Sequence, residues 1–239
     1  MNFDEEIDRV GTHCSKWDMM EPIYGVPTDG GLAMWVADMD FRAPQCVQDA
    51  IKQQLDHGIY GYFGDDSAYR NAITWWMENR HDWRIDPSWI FTTHGLVNGS
   101  AICIDAFTQA GDGIVLFTPV YHAFARVIAA AGREVVECEL ANNAGRYEFD
   151  FDAYDAQMTG KEKMLILCSP HNPGGRVWTR SELEAVVDFA ERHDLILVSD
   201  EIHQDLTMPG IKHIPTALIE RASNRLVTMT ATTKTFNIA

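Results

Sequence analysis

The distribution of apolar residues along the chain changes after about residue 90. From there, short runs rich in β-branched residues alternate with segments whose apolar residues recur at helical spacing. Continuous apolar runs are typical of strands buried on both faces, so the alternation predicts a largely parallel sheet covered by helices on both sides. The predicted strands are 90–93, 114–118, 134–138, 164–168, 195–199 and 226–230.

The helices of this α/β pattern carry their own boundary signals. A helix is predicted from Pro44 to Gly58, because proline favours the first turn and glycine the position after the last. Thr179 and Glu182 have the spacing of a capping box and mark the start of another helix. Residues 1–42 are expected to be irregular. The remaining helices are predicted at 67–80, 100–109, 122–131 and 181–193.

Composition and charge narrow the functional classes. With 19 basic and 35 acidic residues the net charge is −16, which argues against nucleic acid or an anionic membrane as a partner. No apolar run approaches the roughly 20 residues that span a bilayer. The acidic N-terminus lacks the pattern of a signal peptide, and the five cysteines are scattered without C-x-x-C spacing. We therefore expect a cytoplasmic protein.

Polar or glycine-rich segments follow five of the predicted strands. In parallel sheets, ligands bind at the carboxyl ends of the strands, so these segments are expected to meet at one edge of the sheet. An aromatic ring, an amide, a carboxylate, a histidine and a lysine at a shared edge indicate a chemical site. The segments are 93–95, 119–121, 169–175, 200–203 and 232–234.

Each of these residues also has a plain structural interpretation. Asp200 and Lys234 could form an ion pair, or they could hold a pyridinium cofactor, with the carboxylate on the ring nitrogen and the amine bonded to the aldehyde. Tyr121 could be a core aromatic or could stack on such a ring. Asn172 could be a turn residue or an amide donor to the ring oxygen. Free N–H groups in 94–99 could bind a phosphate.

Two other site classes are disfavoured. The run Asp200-Glu201-Ile202-His203 has no H-E-x-x-H or Cys/His pattern around it, so no metal is expected. No G-x-G-x-x-G follows a strand, which argues against a nicotinamide-dependent enzyme.

The ordered set of motifs resembles fold-type I enzymes that depend on pyridoxal 5′-phosphate (PLP), the aminotransferase class I/II superfamily. More narrowly, it is similar to the MalY/PatB-type cystathionine β-lyases, and the resemblance covers nearly the whole chain. The motifs that carry it are Trp35-Val36-Ala37-Asp38-Met39-Asp40-Phe41, Gly61-Tyr62, Thr118-Pro119-Val120-Tyr121, Ser169-Pro170-His171-Asn172-Pro173-Gly174-Gly175, Ser199-Asp200-Glu201-Ile202-His203 and Thr233-Lys234-Thr235-Phe236-Asn237.

The resemblance implies a role for each of nine residues. Lys234 would be the catalytic lysine that holds PLP, and the others would bind the cofactor. His203 stands where many aminotransferases carry a tyrosine. The implied contacts with the ring are Asp200 at the nitrogen, Asn172 at the oxygen and Tyr121 stacked on its face. The implied contacts with the phosphate are the backbone N–H groups of Leu96 and Val97, with Thr233 as a helper. In a homodimer, Tyr62, rather than Tyr60, would contact the phosphate bound by the partner subunit.

The resemblance also implies a reaction and a domain arrangement. The expected activity is α,β-elimination on cystathionine-like or cysteine-like amino acids, giving thiol, pyruvate and ammonia. The alternatives are an aminotransferase or a non-catalytic binding protein on the same fold. Residues 1–47 would belong to an N-terminal arm and small domain, and 48–239 to an incomplete PLP-binding large domain. Because family members continue past Ala239, most of the small domain would be missing and the chain is expected to be an inactive fragment.

Overall fold

The computed structural model describes residues 2–239, which fold into two compact units. One unit contains the residues up to Tyr62 together with Thr232–Ala239, and the other contains Phe63–Ala231. The expected domains, 1–47 and 48–239, are those of the family and differ from these compact units. That domain division stays a prediction.

A five-stranded parallel sheet forms the centre of the second unit, as the sequence pattern predicts. The strand order is β2-β1-β5-β6-β7, and every neighbouring pair is parallel. The central strands are almost entirely buried because helices cover both faces. The strands are β1 (Gly113–Thr118), β2 (Glu134–Glu139), β5 (Glu162–Cys168), β6 (Ile196–Asp200) and β7 (Leu226–Met229), and a separate antiparallel pair consists of β3 (Ala141–Asn143) and β4 (Arg146–Glu148).

Alternate residues of the strands point into two separate apolar clusters. Leu165 and Leu197 face the cluster that contains Phe117 and Trp178, where α7 and α8 pack. Ile166 of β5 faces the other cluster, which contains residues of α5 and α6. The helices of this unit are α4 (Ser67–His81), α5 (Leu96–Phe107), α6 (Ala123–Ala130), α7 (Phe151–Gln157) and α8 (Arg180–Arg192).

The predicted strand at 90–93 is wrong. Ile90 has an extended backbone, but residues 90–93 pair with no strand in the described part of the chain. Phe91 is 87% exposed, so the apolar character of the run does not reflect burial. A strand requires a hydrogen-bonded neighbour, and an apolar, β-branched composition does not supply one.

Most helix boundaries agree with the sequence pattern, with one informative difference. The helix predicted at 100–109 begins four residues earlier, at Leu96, directly after Gly95 with φ of 84°. The positive φ of this glycine turns the chain into the helix, so the first turn lies within the segment that was predicted to be a loop. The β3–β4 hairpin and α7 were not predicted.

The first unit contains short helices and a polar network instead of a continuous irregular segment. Arg9 forms ion pairs with Asp38 (2.7 Å) and Asp40 (2.8 Å), and Lys16 pairs with Asp40 at 2.6 Å. Burial alone would raise the pKa of Asp40, but hydrogen bonds from Lys16, Trp17 and Arg9 lower it to about 2. The helices are α1 (Ser15–Asp18), α2 (Met20–Tyr24), α3 (Gln45–His57) and α9 (Thr232–Thr235).

None of the helices within residues 2–239 combines the length and hydrophobicity needed to cross a bilayer.

The capping box at the start of α8 gives a stability prediction. Thr179 accepts a hydrogen bond from the Glu182 backbone N–H, and the Glu182 carboxylate accepts one from the Thr179 N–H at 2.7 Å. Replacing Thr179 by alanine is expected to lower the free energy of unfolding by about 1 kcal/mol. Urea unfolding followed by circular dichroism measures the loss. Ser181→Ala, in the same exposed turn, is the control, and equal losses in the two variants would contradict the capping role.

Candidate functional site

The carboxyl end of β6 carries a buried carboxylate. Asp200 is the last residue of the strand and is only 6% exposed. Its backbone lies between Cys168 of β5 and Met229 of β7 in the parallel register. The Ile202 N–H donates to Asp200 Oδ1 at 3.1 Å. The carboxyl ends of β1, β5, β6 and β7 are called the carboxyl edge below.

Cys168 connects Asp200 with the loop that carries Asn172. The Asn172 backbone N–H donates to Cys168 Sγ at 3.3 Å, and the thiol donates to the Pro170 carbonyl at 3.4 Å. Burial raises the pKa of Cys168 to about 12, and the negative charge of Asp200 acts in the same direction. Cys168 is therefore a neutral thiol that lies close to the Asp200 charge and holds the Asn172 backbone.

The Asn172 loop is also tied to the segment before Tyr121. The loop closes on itself through the His171 N–H, which donates to the Arg176 carbonyl at 2.7 Å. His171 Nε2 lies 2.8 Å from the carbonyl oxygen of Pro119, two residues before Tyr121. Burial lowers the pKa of His171 below its usual value, so the imidazole is neutral at pH 7 and Nε2–H donates to this carbonyl. The Asn172 and Tyr121 segments are thus joined.

Tyr121 is half-buried at the end of β1. Its ring packs against the α5–α6 cluster and contacts Phe124 edge-to-face, with 5.6 Å between the ring centroids. Tyr121 therefore packs as a core aromatic would, and it is also exposed enough to stack on a bound ring.

The first turn of α5 lies at the same edge. Gly95 provides no side-chain cap, so the N–H groups of Leu96 and Val97 have no acceptor within the helix. Ser100 Oγ lies 3.9 Å from Met229 Sδ, and a Cβ at Gly99 would be 3.5 Å from the same sulfur atom. Because Met229 is the register partner of Asp200, the start of α5 is close to the end of β6.

His203 lies in the turn that follows β6. The side chain is half-buried, and the backbone carbonyl of His203 accepts a hydrogen bond from the Leu206 N–H at 2.9 Å. The second unit therefore brings Asp200, Asn172, Tyr121 and the start of α5 to the carboxyl edge, with His203 in the adjacent turn.

The other predicted residues belong to the first unit. Lys234 lies on α9, and its Nζ donates to the Ala37 carbonyl at 2.9 Å. Thr233, on the same helix, accepts a hydrogen bond from the Ile238 N–H at 3.0 Å. Tyr62 is fully exposed and ends the N-terminal part of this unit. The functional roles of all nine predicted residues stay predictions.

Asn237 is a residue of this unit that sequence reasoning missed. Its amide donates to the carbonyls of Met39 (2.8 Å) and Phe41 (2.9 Å), and its oxygen accepts from the Met39 N–H at 3.1 Å. Asn237 thus fixes the 37–41 segment to the turn after Lys234. The one feature of the sequence that could have pointed to Asn237 is its place in the Thr233–Asn237 motif.

The donor set at the carboxyl edge fits a ligand of a particular kind. A helix N-terminus with free N–H groups favours an anion such as a phosphate. A buried carboxylate favours a protonated nitrogen, because opposite charges attract each other more strongly away from water. Among residues 2–239, no group of three or more His, Cys, Asp or Glu side chains is placed to bind a metal ion.

The family description "Aminotransferase class I and II" matches residues 34–239. The chain belongs to this family. The predicted resemblance and the predicted fold class are confirmed.

Individual members of the aminotransferase class I and II family give a closer comparison. Cystathionine beta-lyase PatB of Bacillus subtilis is 42% identical over 100% of this chain and 62% of its own length. Protein MalY of Escherichia coli is 34% identical over 99% of this chain and 60% of its own length. The chain thus spans about three fifths of the length of these curated relatives.

A solved structure is similar to the whole chain. The PLP-bound C-S lyase from Staphylococcus hominis superimposes with a TM-score of 0.91 at 32% sequence identity, covering 100% of this chain and 60% of the lyase. The comparison extends over both units.

Proposed function

We propose that the chain binds PLP at the carboxyl edge and forms the cofactor-binding part of a carbon–sulfur β-lyase. The observation that carries the proposal is the buried Asp200 carboxylate beside the uncapped start of α5. These two features match the protonated nitrogen and the phosphate of PLP. The PLP-bound C-S lyase structure supports the same assignment.

Each predicted residue has a task that follows from its chemistry. Asp200 keeps the ring nitrogen protonated, and the N–H groups of Leu96 and Val97 bind the phosphate, with Thr233 as a further donor. Asn172 donates to the ring oxygen through an amide whose backbone is held by Cys168. Tyr121 packs against the face of the ring, and His203 extends the polar surface next to Asp200.

Lys234 is the proposed catalytic residue. It follows the last residue of β7 by five positions and carries the amine that would hold PLP covalently in the resting enzyme. When bound, PLP withdraws electrons from the Cα atom of an amino acid through its protonated ring. Once the amine of a substrate takes the place of Lys234 on PLP, the Lys234 amine would be free to accept the Cα proton as the general base.

The proposed reaction is α,β-elimination on cystathionine-like sulfur amino acids. Loss of the Cα proton to Lys234 leads to cleavage of the Cβ–S bond, and the sulfur leaves as a thiolate that takes up a proton. Water then hydrolyses the remaining 2-aminoacrylate to pyruvate and ammonia. The names of PatB, a cystathionine beta-lyase at 42% identity, and of the C-S lyase structure support this chemistry.

We also propose that the protein acts as a homodimer. The fully exposed Tyr62 side chain supports this, because an exposed aromatic ring is available for contact with a second copy. In the dimer, Tyr62 would donate to the phosphate at the site of the other subunit.

A transamination activity is the second candidate, because the family description itself names aminotransferases. The deciding experiment incubates the PLP-treated chain with L-cystathionine and follows the absorption band, pyruvate and free thiol, with and without an added keto acid. We expect a yellow absorption band, and we expect any consumption of cystathionine to give pyruvate and thiol in equal amounts without the keto acid.

The other outcomes each overturn part of the proposal. Consumption that depends on the keto acid would assign the chain to the aminotransferases. A band without any reaction would contradict lyase activity in these 239 residues and would leave only the cofactor assignment. Absence of the band would overturn the cofactor assignment.

A further inference from the structure

Glu201 is a completely buried acidic residue that the proposed reaction does not use. It follows Asp200 directly and has 0% exposure. Its Oε1 accepts hydrogen bonds from Ser199 Oγ and from the Thr216 backbone N–H, both at 2.9 Å, and its Oε2 lies 2.9 Å from His213 Nε2. The carboxylate is thus held by three donors, one from β6 and two from the 213–216 segment of the second unit.

Glu201 and Asp200 point to opposite sides of the sheet. Side chains alternate along a strand, so Ser199 and Glu201 share one face while Asp200 shares the other with Cys168. The contacts agree, since Ser199 Oγ bonds to both Glu201 and Thr216 on its face. The end of β6 is therefore fixed on the face opposite to the one that presents Asp200.

A second histidine–carboxylate pair fixes the far end of the same turn. His81, the last residue of α4, places Nε2 2.9 Å from Asp205 Oδ1, and Trp76 donates to the same carboxylate at 3.1 Å. The rings of His81 and His213 lie edge-to-face, 5.9 Å apart. Both pairs are buried, with side-chain exposures of 7% or less.

The turn from Glu201 to Asp205 is thus held at both ends by histidines from separate segments, and His203 lies in its middle. Buried histidine–carboxylate pairs are a costly way to stabilise a fold, because burial removes the carboxylate from water. They do fix geometry, since three hydrogen bonds to one carboxylate leave it a single position. The neighbouring carboxylate, that of Asp200, needs a fixed orientation if it is to contact a bound cofactor.

We propose that Glu201, through His213, Ser199 and Thr216, is a positioning residue that sets the orientation of the Asp200 carboxylate and of His203 toward the bound cofactor. This inference rests on the proposed PLP site. Glu201 itself contacts neither substrate nor cofactor, and it acts from the opposite face of the sheet.

The test compares Glu201→Ala with Glu201→Gln in the full chain, using PLP as the probe. Three quantities are measured: the PLP dissociation constant, the visible circular dichroism of the cofactor band, which reports the orientation of the bound ring, and the melting temperature. The alanine variant removes all three hydrogen bonds, whereas glutamine keeps an oxygen that can accept from Ser199 and Thr216.

We expect Glu201→Ala to weaken PLP binding by about tenfold or more and to reduce the circular dichroism signal of the cofactor, while Glu201→Gln restores both to within about threefold of the original protein. The control is Asp155→Ala, which removes a carboxylate paired with His193 at 2.6 Å between α7 and α8. The control is expected to leave the affinity and the cofactor signal unchanged, whatever it does to the melting temperature.

A purely structural role predicts a different result. Glu201→Ala would then lower the melting temperature but leave the affinity and the cofactor signal as they were, which overturns the inference and leaves the PLP site intact. If the original chain itself shows no cofactor band, the proposed function fails and the inference fails with it. Should Glu201→Ala not fold, Ser199→Ala decides: it removes one of the three donors, and an unchanged cofactor signal in that variant also overturns the inference.

Discussion

Replacing Lys234 by alanine is expected to abolish the yellow band that PLP gives with the original chain. The reason is that the Lys234 amine is the group proposed to bond covalently to the PLP aldehyde, and alanine has no amine to replace it. Reduction with borohydride should therefore link PLP to the original chain and not to the variant. Loss of the general base alone should lower any elimination rate by about 10²–10⁴-fold.

Lys163→Ala is the matched control for this prediction. Lys163 is exposed, and its amine also donates to a backbone carbonyl, that of Gly160 at 3.0 Å, as the Lys234 amine does to Ala37. The control should keep the band and the borohydride label at full intensity. A labelled Lys234→Ala variant would show that another lysine carries the cofactor, and mass spectrometry of the labelled peptide would identify it.

The elements whose ends carry a local signal could be predicted from the sequence. The helix before Gly58 and the helix after Thr179 begin and end within a residue or two of the expected positions, because an αL glycine and a capping box act within one turn of chain. The buried strands were located equally well. Residues 90–93 were not, because membership of a sheet depends on a neighbouring strand that composition does not reveal.

In the candidate site, too, some residues could be predicted from the sequence and others could not. Asp200, Asn172 and Tyr121 were predicted because each lies in a segment that follows a predicted strand, and a parallel sheet brings such segments to one edge. Cys168 was missed because its contact with Asn172 depends on the conformation of the loop between them, and its closeness to Asp200 depends on the register of β5 against β6. Glu201 was missed because its partner His213 comes from a segment without regular structure, which no periodicity marks.

The predicted residues and the missed residues of the site are in contact or adjacent in the chain. The predictable residues supply the groups that would contact a ligand, and the missed residues hold the backbone behind those groups. Cys168 holds the Asn172 loop on the face of Asp200, while Glu201 fixes the strand end from the other face. A motif therefore identifies the chemistry of the site, and the surrounding packing determines how firmly that chemistry is held.

Replacing Asp200 by asparagine is expected to have the second large effect. The amide has nearly the same shape but no charge, so the protonated ring nitrogen of PLP would lose its counter-ion in a buried position. Removing one partner of a buried ion pair costs about 3–5 kcal/mol. If that cost falls on the reacting state, the elimination rate decreases by about 10²–10⁴-fold. PLP should still bond to Lys234, so the yellow band should persist with a changed dependence on pH.

Three variants isolate the role of the charge at position 200. Asp200→Glu keeps the carboxylate and should recover part of the rate, whereas Asp200→Ala should lose at least as much as the asparagine variant. Asp194→Asn is the control, because Asp194 has a side chain that is 98% exposed and pairs only loosely with Arg225, at 3.5 Å. An elimination rate for Asp200→Asn within about threefold of the original would mean that no protonated nitrogen depends on this carboxylate. Burial of Asp200 would then have a structural cause, and the ring of the cofactor would have to be placed elsewhere along the carboxyl edge.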